Sequence, residues 1–165
     1  MTEASAYEAV PWAAGPATSA PEELRRLASL AGRWRWTGRS RTGDFAVEGE
    51  TDLRWLPGAH FLVERGGLES AGVTNHSLAV TGWDKQRRDC VSDYLDSDGT
   101  QDSYRLGIED KELKINWPRV RFAGRFDDSG DVVTGTWESS PDGSRWQYWY
   151  DAELSHLPSP WRRMD

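Results

Sequence analysis

The sequence is poor in the two residue types that most often build metal sites. It has 1 cysteine and 3 histidines in 165 residues. Cys90 alone cannot form an internal disulfide or a Cys-rich zinc site. His60, His76 and His156 show neither His-x-His nor His-x-x-x-His spacing. We therefore predict no metal site and no cofactor, and a reducing, cytoplasmic location.

Basic residues and long apolar runs are also scarce. Lys and Arg number 20 against 27 for Asp and Glu, which gives a formal net charge of -7. A negative surface repels phosphate backbones, so nucleic acid is excluded as a predicted partner. No apolar run approaches the length of a transmembrane helix, and the N-terminal segment lacks the basic and apolar regions of a signal peptide. A membrane partner is therefore not predicted either.

Tryptophan is abundant, with 10 copies beside 5 tyrosines and 4 phenylalanines. Such rings must line a core, a cavity or an interface. The chain length suits one domain, which we place at residues 21–155. An irregular N-terminal arm (1–20) and a C-terminal tail (156–165) flank it.

The segment "SAPEELRRLASLAG" predicts a short amphipathic helix. Ser19 is the predicted N-cap, and Gly32 ends the helix. Leu24, Leu27 and Leu30 recur on one face. The helix therefore has an apolar stripe to bury.

After Gly32 the apolar period changes to two. In "DFAVEGETDLRWL", for example, Phe45 and Val47 alternate with charged residues. Ten such segments follow one another, separated by short turns rich in Gly, Asp and Pro. Short turns join neighbouring antiparallel strands, and so many strands most easily protect their edges by closing. The prediction is an all-β fold, an up-and-down antiparallel barrel of about ten strands capped by the N-terminal helix.

The segment "LAGRWRW" joins the helix to the first strand. Trp34 and Trp36 share one face of that strand, and Arg35 points the other way. We expect one indole to seal the helix against the end of the barrel and the other to extend deeper into the interior.

Several segments resemble the calycin superfamily, which includes lipocalins, fatty-acid-binding proteins and nitrobindins, and in particular bacterial lipocalin-like barrels of unknown function. They are "LASLAGRWRWTGRS", "RWLPGAHFLVERG", "VTGWDKQRRD", "YLDSDGTQDSYRL" and "RFAGRFDDSGDVVTGTWESSPDGSRWQYWYDAEL". The resemblance covers about residues 21–154 and implies a barrel with a small-molecule pocket.

The chain departs from the ligand motifs of two of these families. Nitrobindins begin with Gly-x-Trp-x-Gly-x-Gly, whereas this chain has Trp36 where the second glycine belongs. His156, the one histidine near the last strand, is expected to follow that strand's end. The Arg-x-Tyr pair of fatty-acid-binding proteins is also missing, because Arg145 and Tyr148 lie three residues apart.

Aromatic residues dominate the candidate ligand site. We expect alternation to place one face of "RWQYWYDAEL" and of the other strands inward, where phenols beside indoles suit a flat, partly polar ligand. The predicted ligand-binding residues are Trp36, Trp55, His76, Tyr94, Trp117, Trp137, Trp146, Tyr148 and Tyr150.

Three functions compete at this point. The first is binding of a small, largely apolar, aromatic or polycyclic molecule inside the barrel, for its retention or delivery. The second is a cyclase or isomerase acting on a natural-product intermediate in the same cavity, with His76, Tyr94 or Tyr148 as the acid or base. The third is docking of Trp12 and Trp161 onto a partner or a second copy, which makes a homodimer an alternative state.

Overall fold

The computed structural model describes residues 11–158 and contains a closed barrel of ten antiparallel strands. Each strand pairs with its neighbours in sequence, and the first pairs with the last to close the barrel. This confirms the predicted all-β, up-and-down barrel. The strands are β1 (Gly32–Arg39), β2 (Ala46–Trp55), β3 (Leu62–Ser70), β4 (Val73–Asp84), β5 (Asp89–Asp96), β6 (Gln101–Glu109), β7 (Glu112–Asn116), β8 (Val120–Phe126), β9 (Val132–Ser139) and β10 (Gln147–Leu157).

A short helical segment precedes the barrel. Helix α1 (Glu22–Arg26) continues into a 3-10 turn, Leu27–Leu30. The predicted apolar face is confirmed, because Leu24, Leu27 and Leu30 are buried. The predicted cap is wrong: the N-cap position belongs to Pro21, whose backbone is still extended, and no side chain caps the helix. No helix within residues 11–158 is long and apolar enough to cross a membrane.

Trp34 seals the helical segment against the barrel. Its side chain is 1% exposed, and its indole Nε1 donates a hydrogen bond to Leu30 O at 2.8 Å. Trp36 lies two residues further along the same face, and its Nε1 donates to Thr51 Oγ1 at 3.2 Å. This confirms the prediction that one indole seals the helix against the barrel and the other lies deeper in the interior.

The last strand is longer than predicted. β10 stays paired with β1 as far as Leu157, so the expectation that the strand ends before His156 is wrong. His156 pairs with Trp34, and the centroids of the two rings lie 4.9 Å apart. Nδ1 of His156 lies 3.8 Å from a carboxylate oxygen of Asp131. This histidine therefore belongs to the end of the barrel that the helix covers.

A β-bulge interrupts the start of β10. In the pairing with β9, Tyr148 lies opposite Glu138 and Tyr150 lies opposite Trp137, so no residue of β9 lies opposite Trp149. One extra residue moves every earlier side chain to the other face of the strand. Tyr150 is buried, whereas Trp149 is 38% exposed.

Close backbone approach explains the internal glycine Gly135, and it gives a matched test. A Cβ added at Gly135 would lie 2.3 Å from Ala123 O and 2.5 Å from the Gly124 Cα, whereas one added at Gly107 would meet nothing within 4 Å. We expect Gly135→Ala to lower the free energy of unfolding by about 2 kcal/mol, the usual scale of overpacking. Gly107→Ala should change it little. Urea unfolding checks both variants, and equal effects would contradict the steric explanation.

Part of the predicted N-terminal arm lies against the barrel. Ala13 N donates to Trp55 O at 2.9 Å, and Ala17 N donates to Ala59 O at 2.8 Å. The Arg54 guanidinium lies over the Trp12 ring, 5.9 Å from its centroid. The rest of the arm and most of the tail, including Trp161, lie outside the described residues.

Candidate functional site

The two ends of the barrel differ in how completely side chains fill them. At the helix end, inward residues such as Leu53, Leu62, Leu113 and Val133 are buried in one apolar cluster. At the other end, several inward residues are only partly buried. An inward side chain that keeps accessible surface is not fully covered by its neighbours, so the end of the barrel away from α1 is the less completely filled end. The partly buried inward residues are Trp36, Glu64, Tyr94, Trp117 and Trp137.

Three aromatic residues from β5, β6 and the β7–β8 turn form what we call the Tyr94 cluster: Tyr94, Tyr104 and Trp117. The rings of Tyr104 and Trp117 are stacked with centroids 4.5 Å apart, and Tyr94 meets Trp117 edge-on at 4.9 Å. These distances lie in the range of favourable aromatic pairs. The cluster forms an aromatic wall at the less completely filled end of the barrel.

A second group, the Trp137 cluster, comprises Trp36, Phe122, Trp137 and Tyr150. The ring centroids of Phe122 and Trp137 are 5.3 Å apart, and Tyr150 stacks on Trp137 at 6.2 Å. The buried indole Nε1 of Trp137 has no hydrogen-bond acceptor within residues 11–158. The buried Nε1 of Trp55 in the core also has no acceptor there, so an unpaired indole N–H does not by itself mark a ligand site.

The wall between these clusters carries small inward side chains. Gly66 on β3 pairs with Thr51 on one side and Ser77 on the other, and Ala79 of β4 lies opposite Glu64. Only Glu64 among these residues has a long side chain. Small residues on this wall take up little of the interior between the two aromatic clusters, and Thr51 and Ala79 are themselves buried.

Glu64 is the polar residue that the sequence analysis missed. It shares the inward face of β3 with Leu62, and the Tyr104 hydroxyl donates a hydrogen bond to its Oε2 at 3.4 Å. Removal from water raises the pKa of Glu64 from its ordinary value of 4.5 to about 7, although the Tyr104 hydrogen bond acts in the opposite direction. Its carboxyl group therefore changes charge near neutral pH.

The tyrosines around Glu64 stay protonated. Burial is the main reason that the pKa of Tyr94 is raised to about 12, and the nearby charge of Asp96 is the second reason. Burial is also the main reason that the pKa of Tyr104 is raised well above 10, and the charge of Glu64 is the second reason. Both hydroxyl groups are therefore neutral donors throughout the range in which Glu64 titrates.

Asp96, near the mouth of the barrel, has a different environment from Glu64. It accepts hydrogen bonds from the backbone N–H groups of Asp98 and Thr100, from Asn75 and from the Tyr94 hydroxyl. Burial raises its pKa, but these hydrogen bonds outweigh burial and hold the pKa below its usual range. Asp96 is a structural carboxylate whose acceptor sites are already occupied.

Three of the predicted site residues do not face the interior. His76 is exposed and pairs with Gly67 on the outer face of β4, because Ser77 is the inward residue there. The bulge in β10 turns Tyr148 outward, where the Arg41 guanidinium lies 4.2 Å from its ring centroid. Trp146 lies under the Arg121 guanidinium, also at 4.2 Å. The expectation that these three side chains point inward is wrong.

The other predicted residues lie on the inner face. Trp36, Tyr94, Trp117, Trp137 and Tyr150 belong to the two aromatic clusters. Trp55 is 1% exposed and belongs to the buried core nearer the helix end, so it does not join them. Of the three predicted acid or base residues, only Tyr94 lies inside the barrel.

Two large open grooves lie on the outside of the barrel. One, of about 880 Å³, crosses the outer face of β9, β10, β1, β2 and β3, and the other, of about 810 Å³, includes His76. No Trp, Tyr or Phe lines either groove. The second groove contains the Arg33–Glu50 ion pair, 2.8 Å long. Both grooves therefore lack aromatic surface.

Metal-type ligands are not grouped in the part of the chain that the structure covers. No three His, Cys, Asp or Glu residues within 11–158 are placed to hold one ion. Cys90 is buried on β5, and burial raises the pKa of its thiol to about 12. A protonated, buried thiol is a poor nucleophile.

Comparison with known proteins gives the fold and little more. No family model and no curated protein sequence matches the chain. Among solved structures, Rv2717c from M. tuberculosis is 15% identical with a TM-score of 0.56, covering 85% of this chain and 100% of its own. A designed fluorescence-activating β-barrel is 17% identical with a TM-score of 0.42, covering 77% and 93%. The class that fold and site define is a closed ten-stranded barrel, and calycin membership stays a prediction.

Proposed function

We propose that this protein binds a small, largely apolar, aromatic or polycyclic molecule in the less completely filled end of the barrel, to retain or deliver it. The observation that carries this proposal is the partial exposure of inward Trp36, Tyr94, Trp117 and Trp137. Rings that only filled a core would be covered by their neighbours, as Trp34 is at the helix end. Rings that border open space can instead stack on a ligand.

The distribution of aromatic residues favours the interior over the outer grooves. Apolar ligands gain affinity by burying their surface against apolar and aromatic side chains. The two large outer grooves lack Trp, Tyr and Phe, whereas the interior has two aromatic clusters.

The proposal predicts saturable binding of a neutral polycyclic dye, Nile red, with increased dye fluorescence and one dye per chain. Ser77→Phe should weaken this binding about tenfold or more, because Ser77 lies on the inward face opposite Gly66 and the new ring would compete with the dye for the interior. Leu78→Phe is the matched control, since Leu78 is the next residue and points outward into an outer groove. That variant should bind the dye as the wild type does.

Circular dichroism of both variants shows whether each retains the barrel. Absence of dye binding by the wild-type protein would contradict the proposal. So would a result in which Leu78→Phe blocks binding and Ser77→Phe does not, because the dye would then occupy an outer groove.

A further inference from the structure

The interior contains a carboxylate with no cationic partner. Every Lys and Arg on a strand of residues 11–158 alternates with inward residues and so points outward, as Arg65 does beside Glu64. His156 is inward, but it lies at the helix end against Trp34 and Asp131. No cation therefore faces Glu64 from the elements around it.

The hydrogen bonding of Glu64 is incomplete. Tyr104 supplies its one hydrogen bond within the described residues, at 3.4 Å and to Oε2 only. Oε1 accepts none, yet it is not among the buried polar atoms closed off from solvent. One carboxylate oxygen thus faces accessible space inside the barrel. By contrast, Asp96 is saturated by its own turn and by Asn75.

A purely structural explanation of Glu64 is weak. Burying an ionisable group costs stability unless it is paired or hydrogen-bonded, and glutamine of the same shape would fill the same space without a charge. Burial raises the pKa of Glu64 to about 7, which is the signature of such an uncompensated group. Groups of this kind in a cleft are typical of functional sites.

We propose that the ligand of the interior site carries a protonated amine that pairs with the Glu64 carboxylate. This inference rests on the proposed function, because it names the chemistry of the molecule bound there. The amine donates a charge-assisted hydrogen bond to Oε1, and the apolar part of the ligand lies against the Tyr94 cluster. The rings of Tyr94 and Tyr104 flank the same region and also attract a cation.

Charge pairing gives the proposal a pH dependence. Tyr94 and Tyr104, the titratable groups that surround Glu64 on β5 and β6, remain neutral, and Asp96 keeps its charge. Binding of a cation requires ionised Glu64, so affinity for an amine should fall as the pH drops below about 7. Affinity for a neutral molecule of the same shape should not follow this trend.

Three naphthalene derivatives test the inference by calorimetric titration of the full chain. They are 2-naphthylmethylamine, which is cationic, 2-naphthylmethanol, which is neutral, and 2-naphthoate, which is anionic. At about pH 8 the amine should bind at least about tenfold more tightly than the alcohol, and the naphthoate should bind most weakly. Glu64→Gln should abolish the preference for the amine over the alcohol. Glu69→Gln, on the exposed face of the same strand, should keep the preference.

The outcomes separate this inference from the proposed function. If the alcohol binds but the amine binds no more tightly, or if the preference survives in Glu64→Gln, the amine inference is overturned and interior binding stands. If none of the three compounds binds, both proposals fail. The pH series on the wild type is independent of any variant, and an amine affinity that is constant from about pH 5 to 8 also overturns the inference.

Discussion

Replacing Glu64 by Gln is expected to change the free energy of unfolding, relative to the wild type, by different amounts at two pH values. The change should be more favourable at about pH 8 than at about pH 4, by about 3 kcal/mol. The folded-state pKa of Glu64 is raised from 4.5 to about 7. The folded protein therefore holds this proton more tightly than the unfolded chain does. In the wild type the contribution of Glu64 to stability is full below about pH 4.5 and is lost as the pH rises through about 7.

The comparison isolates Glu64 because the other carboxylates are the same in both proteins. Urea unfolding at the two pH values, followed by tryptophan fluorescence, gives the required free energies. Glu69→Gln removes a carboxylate from the exposed side of β3 and should change stability little at either pH. If the Gln variant and the wild type lose stability in parallel as the pH rises, Glu64 is not the uncompensated carboxyl described above.

The sequence pattern identified Trp34 and Trp36 but could not identify Glu64. β1 has apolar and charged residues on opposite faces, so its alternation gives the inward side directly. β3 has apolar residues on both faces: Leu62 points inward, while Val63 is 7% exposed and Phe61 is 45% exposed on the other side. Alternation does not distinguish the faces of such a strand. The one available signal was that Leu62, Glu64 and Gly66 share a face.

The errors in β10 and β4 also have physical causes. A bulge adds a residue without changing the local composition, so unbroken alternation from Leu154 back to Tyr148 gave the wrong face. His76 shares its face with Leu78 and Val80, which suggested the interior, but these two apolar residues lie on the outer surface. The fold was predictable because it depends on many alternations and turns at once. The site depends on the face of individual strands, which a single error reverses.

Trp34→Ala is expected to lower the free energy of unfolding by about 3 to 5 kcal/mol, the range for removing a large buried aromatic side chain. The indole is 1% exposed, contacts Phe126 and His156, and holds Leu30 O through its N–H. Its loss opens a cavity where the 3-10 turn meets the barrel and leaves a buried carbonyl without its donor. Since small domains have a total stability of about 5 to 15 kcal/mol, this change is a large share of it.

Two further variants separate packing from hydrogen bonding at this seal. Trp34→Phe keeps a ring but removes the N–H donor, so it should cost less than Trp34→Ala and still more than Trp149→Ala, whose indole is 38% exposed. Limited trypsin digestion at Arg25 and Arg26 reports on the helix itself, because cleavage there requires α1 to leave the barrel end. Faster cleavage in Trp34→Ala than in Trp149→Ala is the expected result. Equal rates would mean that α1 is held by its leucines alone, since Leu24, Leu27 and Leu30 are the other buried contacts of this segment.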